Sequence, residues 1–338
     1  MEERKKYKIL NKGRFSTRTW KGKELHVIQA LIDIPEYNVK AGDIGGCIES
    51  EANLSQKGSC WIAEYGFAYG NARVYEDAFV AFYCEVKDNA KVHGHAQIKS
   101  ESSIREDAEV YGRAETRVAL IGGHAKVYEY ARIDADQNLQ YQCIEGHCRI
   151  HGHATVSSYA YINGEADVRG RASIHKGAKV TGKARIDGKA VIKKYAEVSG
   201  NAHVGEGAIV YEKAIVTDNA DITGTVQVAI AAKVSGNTEL SGDAFVHETV
   251  SVGGNAKLTQ GRLARDWFGE GAPDPYWVAT WGRPSLGTVC FLRNTGGICS
   301  NCDENVKEEG GYMPLYCPGC GLRIDEIISA PHYHGEIY

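Results

Sequence analysis

The sequence predicts an all-β protein whose central part is a triangular parallel β-solenoid. Three observations support this prediction. The first is an aliphatic residue at every sixth position, as in the stretch "RASIHKGAKVTGKARIDGKAVI", and the second is the residue type two places before it. From Ile150 to Leu258 all nineteen such positions hold Ile, Val or Leu, and Ala stands two places earlier in fifteen of them. Because residues i and i−2 of a strand point to the same face, each hexad supplies one large and one small inward side chain.

The third observation is that Gly recurs every eighteen residues. This repeat groups three hexads into one coil with three corners. One corner series contains Gly152 and Gly170, and a second contains Gly164 and Gly182. These two corners favour the positive φ that Gly permits, whereas the third corner series has no Gly. Three hexads to a turn define a triangular solenoid in which stacked coils share one continuous core.

Four regions follow from this pattern. Residues 1–40 are predicted to be a β-hairpin cap with its turn at Lys21–Gly22–Lys23, which covers the open edge of the first coil. Residues 41–261 form the solenoid. Residues 262–285 are an aromatic-rich capping connector that opens with a short helix over 263–268, and residues 286–338 form a separate small domain.

The regular beat slips twice within residues 117–149. Thr116 and Val127 are eleven residues apart instead of twelve, and so are Leu139 and Ile150. Each slip fits a deleted corner residue or a small distortion. Departures from a regular pattern often mark functional sites, although a plain packing irregularity explains them as well. The run that starts at Ile150 accepts no insertion, so no loop extruded from the solenoid is expected.

Four cysteines near the end of the chain have the spacing of a metal site. Cys299 and Cys302 form one C-x2-C knuckle, and Cys317 and Cys320 form a second. Two such knuckles place four thiolates around one Zn²⁺, and a segment this small needs a metal to fold. Four thiolates leave no open coordination position, so the zinc is expected to be structural. The second knuckle, "CPGCG", resembles that of a zinc ribbon.

Charge and composition bound the partners. The net charge is −4, and residues 286–338 contain three Lys/Arg against seven Asp/Glu, so a nucleic-acid partner is not expected. The start, "MEERKKYKIL", has no apolar segment of the kind that signal peptides carry, and no run reaches the length of a transmembrane helix. We therefore expect a cytoplasmic protein without a membrane partner, whose cysteines are reduced or metal-bound.

The repeating unit, aliphatic–Gly–x–x–Ala–x, is similar to that of the hexapeptide-repeat family of left-handed β-helices. The segment "VKAGDIGGCIESEANLSQKGSCWI", residues 39–62, resembles the start of the repeat region in the YdcK-like proteins, a bacterial and phage-associated branch. The resemblance covers roughly residues 7–260 and implies left-handed coils. It also implies a homo-oligomer, with a trimer favoured.

The resemblance further implies an acyltransferase as one candidate function. Such family members hold an acyl-CoA thioester between neighbouring prisms and use a His as general base. The candidate bases here are His124, at the first slip, and His147 and His151, beside the second. The segment "QCIEGHCRIHGH" also contains Cys143 and Cys148, which makes a metal site an alternative. Solvated corner histidines are the simpler interpretation.

Two functions therefore stay open. The first is a non-catalytic binding or interaction protein that holds a small anionic or nucleotide ligand in inter-subunit grooves, with the zinc ribbon fixing a protein partner or a second protomer. Outward tyrosines are candidates for stacking on such a ligand: Tyr111, Tyr128, Tyr159, Tyr195 and Tyr211. The second is a CoA-dependent acyltransferase that uses acetyl-CoA.

Overall fold

The chain folds as an all-β, left-handed parallel β-solenoid of about 11 turns with 18-residue periodicity. The predicted fold class is thereby confirmed. The chain divides into two compact units, Met1–Thr181 and Gly182–Tyr338. The computed structural model describes residues 5–10, 16–81, 83–134 and 142–260, and the backbone alone of 262–266 and 276–280.

The first unit begins with an antiparallel cap. Strands β2 (Thr17–Trp20) and β3 (Lys23–Ala30) form the predicted hairpin, and β1 (Tyr7–Ile9) pairs with the other edge of β3. A 3₁₀ helix, Pro35–Tyr37, follows. Strand β4 (Ile44–Ile48) then pairs antiparallel with β3 and parallel with the coils, so the cap continues one wall of the solenoid.

A second short 3₁₀ helix, Glu51–Asn53, precedes the coils. The strands of the first unit's coils are β5 (Trp61–Ile62), β6 (Phe67–Ala68), β7 (Arg73–Val74), β8 (Phe79–Val80), β9 (Glu85–Val86), β10 (Lys91–Val92), β11 (Gln97–Lys99), β12 (Ser103–Ile104), β13 (Glu109–Val110), β14 (Glu115–Arg117), β15 (Ala119–Ile121), β16 (Lys126–Val127), β17 (Arg132–Asp134), β18 (Gln142–Ile144), β19 (Arg149–Ile150), β20 (Thr155–Ser157), β21 (Tyr161–Ile162), β22 (Asp167–Val168), β23 (Ser173–His175) and β24 (Lys179–Val180).

The second unit repeats the same elements. Its strands are β25 (Arg185–Ile186), β26 (Val191–Lys193), β27 (Glu197–Val198), β28 (His203–Val204), β29 (Ile209–Tyr211), β30 (Ile215–Val216), β31 (Asp221–Ile222), β32 (Gln227–Val228), β33 (Lys233–Val234), β34 (Glu239–Leu240), β35 (Phe245–Val246), β36 (Ser251–Val252), β37 (Lys257–Leu258), β38 (Arg262–Asp266) and β39 (Tyr276–Thr280).

Every third strand belongs to the same wall. In the first unit wall 1 contains β6 and every third strand after it, wall 2 starts at β7 and wall 3 at β5. Neighbouring strands of a wall are parallel and in register, so Val92 pairs with Val110 and Ile150 with Val168. These four aliphatic side chains are fully buried. The chain turns in sequence at corner 1–2, corner 2–3 and corner 3–1, each named for the walls that it joins.

Corner 3–1 also takes positive φ, although it contains no Gly in most coils. Ser158 and Tyr159 have φ of 52° and 53°, and Lys194 and Tyr195 have φ of 55° and 64°. Two successive left-handed residues form this corner in these coils. Glycine therefore marks the corners where backbones of adjacent coils approach closely, as at Gly152, where a Cβ would lie 2.8 Å from the amide nitrogen of Gly170. Positive φ alone does not require it.

The first slip of the beat is a deleted corner residue, one of the two predicted explanations. Val118 is the one left-handed residue between β14 and β15, where the preceding coil has both Ser100 and Glu101. Inward Thr116 and Ile121 are consequently five residues apart instead of six. Val118 is 2% exposed, and its N–H donates to the carbonyl of Ser100 at 2.8 Å.

The second slip corrects an expectation. Leu139 lies outside the described residues, and the next inward aliphatic of wall 1 is Ile144, which pairs with Ile121. Ile144 follows Ile133 by eleven residues, whereas a regular corner needs six. The connection from β17 to β18 thus contains five additional residues, and the expected absence of an insertion is wrong for this coil. Leu139 concealed it because it falls on the six-residue beat by coincidence.

The C-terminal side of the solenoid differs from prediction in one element. A helix was expected over 263–268, but Arg262–Asp266 is strand β38, which pairs parallel with β35 and antiparallel with β39. The backbone therefore extends a wall instead of coiling across the last turn. The predicted connector beyond Thr280 and the domain 286–338 lie outside the described residues. Among the described residues no helix is long and apolar enough to cross a membrane.

The cap closes the end of the first coil with a buried cation. Lys6 is 2% exposed, and its ammonium group donates to the carbonyls of Gly58 at 3.1 Å and Cys60 at 2.8 Å. The hydroxyl of Tyr7 donates to the carbonyl of Leu54 at 2.6 Å. These carbonyls stand at the edge of the first coil, where no preceding coil offers an N–H. The cap thus satisfies acceptors that would otherwise be left open.

A buried carboxylate anchors the hairpin to wall 1. Glu85 is 5% exposed and accepts hydrogen bonds from the Trp20 indole at 2.9 Å, the Lys21 ammonium at 2.9 Å and the Tyr69 hydroxyl. Burial raises the pKa of this carboxyl, but these hydrogen bonds and the charge of Lys87 outweigh burial and lower the pKa to about 2. Glu85 therefore stays ionised and holds the hairpin in place.

Candidate functional site

The structure places two of the three candidate bases together and separates the third. His124 follows β15 and His147 follows β18, both at corner 1–2, and their rings stack with centroids 4.5 Å apart. His151 lies at corner 2–3, beyond the wall 2 strand β19. The cluster that the sequence segment "QCIEGHCRIHGH" suggested is thus divided between two corners.

Corner 1–2 gives His124 an acidic neighbour. The Oδ2 atom of Asp107 lies 3.7 Å from Nδ1 of His124, and the side chain of His124 is 56% exposed. Beside this pair, Arg105 Nη2 bonds Glu145 Oε1 at 2.6 Å. An imidazole next to a carboxylate is an arrangement that can accept a proton from a substrate hydroxyl or amine. The stacked ring of His147 covers one face of it.

The cysteines near this corner are not reactive thiolates. Cys148 is fully buried, and its Sγ donates to the carbonyl of Glu145 at 3.1 Å. Burial raises the pKa of Cys148 to about 12, and burial together with Glu145 raises that of Cys143 to about 11. Both stay protonated at neutral pH, whereas nucleophiles and metal ligands are thiolates. Among the described residues no group of three or more His, Cys, Asp or Glu could hold a metal ion.

Corner 2–3 carries a continuous column of stacked rings, which we call the inner column. Its members are Tyr75, His93, Tyr111, Tyr128 and His151. Successive ring centroids are 4.6, 5.0, 4.9 and 4.7 Å apart. Each ring belongs to the residue that follows an inward aliphatic of wall 2, so the spacing between coils sets the spacing between rings.

Stacking within the inner column covers both faces of two of its tyrosine rings. Tyr111 has His93 on one face and Tyr128 on the other, and Tyr128 has Tyr111 and His151. A ligand therefore reaches only the edges of these two rings, and the stacking role expected of them is not available. The remaining three outward tyrosines are elsewhere: Tyr159 and Tyr195 at corner 3–1, and Tyr211 at the end of β29.

Carboxylates hold the imidazoles of the inner column. The Nε2 atom of His93 lies 3.1 Å from Oε1 of Glu109, and its Nδ1 lies 3.6 Å from Oε2 of Glu76. His151 repeats the arrangement, with Nε2 3.2 Å from Oδ1 of Asp167. The side chains of His93 and His151 are 17% and 19% exposed. These imidazoles are fixed parts of a surface, which argues against His151 as a free base.

A second column, the outer column, runs beside the first on the wall 3 side of corner 2–3. The Arg113 guanidinium lies 5.9 Å from the ring centroid of Tyr130, and Tyr130 stacks on His153 at 4.9 Å. His95 occupies the same position one coil before Arg113. Arg113 and Tyr130 were not among the predicted site residues. A signal for them does exist in the sequence. His95, Arg113 and Tyr130 occupy the same position in successive coils when the coil that contains the first slip is counted as seventeen residues instead of eighteen.

No model of a known protein family matches the chain, and no curated protein matches it. The predicted zinc ligands, Cys299, Cys302, Cys317 and Cys320, lie outside the described residues. The corner columns and the chemistry of the outer surface are therefore the observations that bear on function.

Proposed function

We propose that the protein is a non-catalytic β-solenoid binding protein that holds small anionic or nucleotide ligands on its outer surface and between its copies. The observation that carries this proposal is the pair of columns at corner 2–3. Their histidines and tyrosines are fixed by stacking, and carboxylates hold His93 and His151. A rigid, preorganised surface is suited to recognition, because binding then orders few side chains.

The closely packed interior of the solenoid supports a ligand site on its outer surface. The inward aliphatics and alanines are closely packed, with Ile150, Ala154 and Val156 at 0% exposure. Nothing larger than a side chain fits along the axis of such a coil. Ligands must therefore bind to walls, to corners or to seams between copies. Assembly as a trimer would create three equivalent seams, and it is part of this proposal.

A CoA-dependent acyltransferase is the second candidate function. Two observations favour it: the carboxylate of Asp107 beside the exposed imidazole of His124, and the five additional residues between β17 and β18. In this alternative His124 takes the proton of the acceptor nucleophile as it attacks the acetyl-CoA thioester, and CoA leaves as the thiol. The insertion joins β17 to β18 at corner 3–1, whereas His124 lies at corner 1–2. The width of wall 1, which contains β15 and β18, therefore separates them.

Native mass spectrometry of freshly purified protein tests the binding proposal, because it reports the oligomer and any retained ligand together. We expect a trimer that carries a small ligand, and acetyl-CoA that neither raises the melting temperature nor is hydrolysed. Turnover of acetyl-CoA that is abolished in His124→Ala and retained in His153→Ala would instead establish the acyltransferase. His153 is the matched control, since it is an exposed corner histidine of the outer column.

A structural zinc site on Cys299, Cys302, Cys317 and Cys320 completes the proposal. Metal analysis is expected to find one zinc per chain, and Cys317→Ser should release it. Cys290→Ser is the control, because Cys290 stands outside both knuckles. Zinc retained equally by both variants would contradict the site. The similarity of residues 39–62 to YdcK-like proteins stays a prediction.

A further inference from the structure

A cleft in the first unit lies between the 3₁₀ helix Pro35–Tyr37 and the side of the solenoid at corner 2–3 and wall 3. Its volume is about 320 Å³, and its lining residues are Glu36, His95, Gln97, Arg113 and Glu115. The helix is fixed on wall 3, because the Tyr37 ring stacks on Phe79 at 4.6 Å and its hydroxyl donates to the carbonyl of Asp77. The cleft is therefore preformed.

The cleft contains one cation that lacks an acidic partner. Arg113 contacts the ring of Tyr130, which orients the guanidinium, but among the described residues it makes no ion pair. The side-chain amide of Gln97 likewise has no hydrogen-bond partner within the described part of the chain. A guanidinium fork and an adjacent amide are the donors that a carboxylate group accepts from.

The same cleft also contains carboxylates. Oε1 of Glu36 lies 3.3 Å from Nδ1 of His95. Oε1 of Glu115 lies 2.9 Å from the Lys99 ammonium and 3.2 Å from Arg117 Nη2. The carboxylate of Glu115 is thus already paired with two cations. Glu36 is therefore the carboxylate that repels an anion approaching Arg113, and Arg113 itself repels a simple cation. A ligand that carries both charges satisfies both kinds of lining group.

We propose that this cleft binds a small zwitterion of the α-amino acid type. Its carboxylate accepts hydrogen bonds from Arg113 and Gln97, and its ammonium group faces Glu36. The volume of about 320 Å³ is at the small end of ligand pockets, which suits a molecule of this size. The inference rests on the proposed binding function and adds, for this one surface, a zwitterionic ligand to the anionic ligands proposed above.

Three probes of matched size test the charge requirement: L-alanine, propionate, which lacks the amino group, and ethylammonium, which lacks the carboxylate. Calorimetric titration of the full chain is expected to give L-alanine an affinity at least about tenfold higher than either singly charged probe, because each charged hydrogen bond contributes about that factor. Propionate that binds as tightly as L-alanine, or no binding of L-alanine up to about 50 mM, would overturn the proposal.

Variants test the position. Arg113→Gln is expected to weaken L-alanine binding by about tenfold or more. Arg73→Gln is the matched control, because Arg73 also lies over a tyrosine ring, that of Tyr75 at 6.0 Å, but does not line the cleft. Glu36→Gln should bring the affinities for L-alanine and propionate close together.

Equal losses in Arg113→Gln and Arg73→Gln would place the ligand elsewhere and overturn the assignment. The binding function itself has a separate readout. A native ligand that still co-purifies with Arg113→Gln would leave the proposed function standing while the cleft assignment fails.

Discussion

Corner 1–2 is built differently in the two units. In the second unit four asparagines form a ladder in which each Nδ2 donates to the next Oδ1, at 2.9 Å from Asn201 to Asn219, 2.9 Å from Asn219 to Asn237 and 2.8 Å from Asn237 to Asn255. In the first unit a similar ladder, Asn71 to Asn89 to Asp107, stops at the stacked rings of His124 and His147.

The difference shows which part of the surface is available for recognition. In the asparagine ladder each amide is paired with the next, so the column stabilises the coil and offers little to a ligand. A stacked imidazole pair leaves its ring edges and nitrogen atoms accessible, and His124 is 56% exposed. The ring pair adjoins the coil with the shortened corner and the coil with the insertion. The repeated asparagines stabilise the coils, and their interruption in the first unit leaves an exposed histidine pair, which is the candidate site of the alternative acyltransferase function.

The largest expected effect concerns the acid stability of the first unit. Because folding lowers the pKa of Glu85 from 4.5 to about 2, its stabilisation is complete above pH 4.5 and is lost as the pH falls towards 2. That shift corresponds to about 3 kcal/mol. Denaturant unfolding at several pH values between 6 and 2.5, followed by tryptophan fluorescence, should show this loss in the native chain.

Glu85→Gln should be less stable at pH 6 and should lack this part of the acid dependence. Glu239→Gln in the second unit is the control, because Glu239 is 53% exposed and pairs only with Lys257 among the described residues. An acid dependence that is the same in the native chain and in Glu85→Gln would show that this carboxylate does not anchor the cap.

Two buried threonines should respond in opposite directions to the same substitution. Thr116 in the first unit occupies an inward aliphatic position at 0% exposure, and its Oγ1 has no hydrogen-bond partner. Thr238 in the second unit is also at 0% exposure, but its Oγ1 donates to the carbonyl of Ser235 at 2.7 Å. Thr116→Val should stabilise by about 1–2 kcal/mol, since it removes an unsatisfied buried hydroxyl.

Thr238→Val should instead destabilise by about 1 kcal/mol, because it removes a satisfied hydrogen bond at constant volume. Thermal unfolding of both variants is the measurement. If the unfolding temperatures of both variants shift in the same direction, the hydroxyl of Thr116 is not an unsatisfied group and the prediction is wrong.

Two β-branched residues with positive φ give the next comparison. Ile230 in the second unit has φ of 65° and is 44% exposed, whereas Val118 in the first has φ of 48° and is 2% exposed. Ile230→Asn should stabilise by about 1 kcal/mol, because Asn tolerates the left-handed region. Val118→Asn should destabilise, because the amide would be buried without a partner. A gain in both variants would mean that the short corner can accommodate a polar group.

The smallest effects test the comparison directly. Asn219→Ala removes one hydrogen bond given and one received, so it should destabilise by about 0.5–1 kcal/mol. His124→Ala should change stability by less than about 0.5 kcal/mol, as surface substitutions usually do. Differential scanning calorimetry of the two variants decides the matter. An equal loss in both would make the ring pair another structural ladder and would remove the reason to place a site there.

The regular coils could be predicted because their inward positions obey one rule without exception over a long run. An aliphatic residue must recur wherever the strand returns to the core, so Ile186, Val204 and Ile222 align in the structure at the predicted spacing of eighteen residues. The insertion before β18 could not be found in this way, because Leu139 matches the beat and hides the true inward residue, Ile144.

The site could be predicted only in part. His124 stood out because it follows a slip, and the structure places it in a stacked pair. His151 was grouped with His147 because they are four residues apart, but a strand and a change of corner separate them. Arg113 was missed because an exposed arginine carries no signal of its own. Its role depends on the cap, which brings Glu36 across from it, and no short-range pattern contains that contact.

The ammonium of Lys6 determines whether another chain can add to the first coil of the solenoid. Parallel coils add by matching one coil's N–H groups to the next coil's carbonyls, so the bare end of a β-helix is a template for another chain. With Lys6 on the carbonyls of Gly58 and Cys60, that end of this protein is already occupied by its own residue. Head-to-tail stacking of another chain onto these carbonyls is thereby blocked.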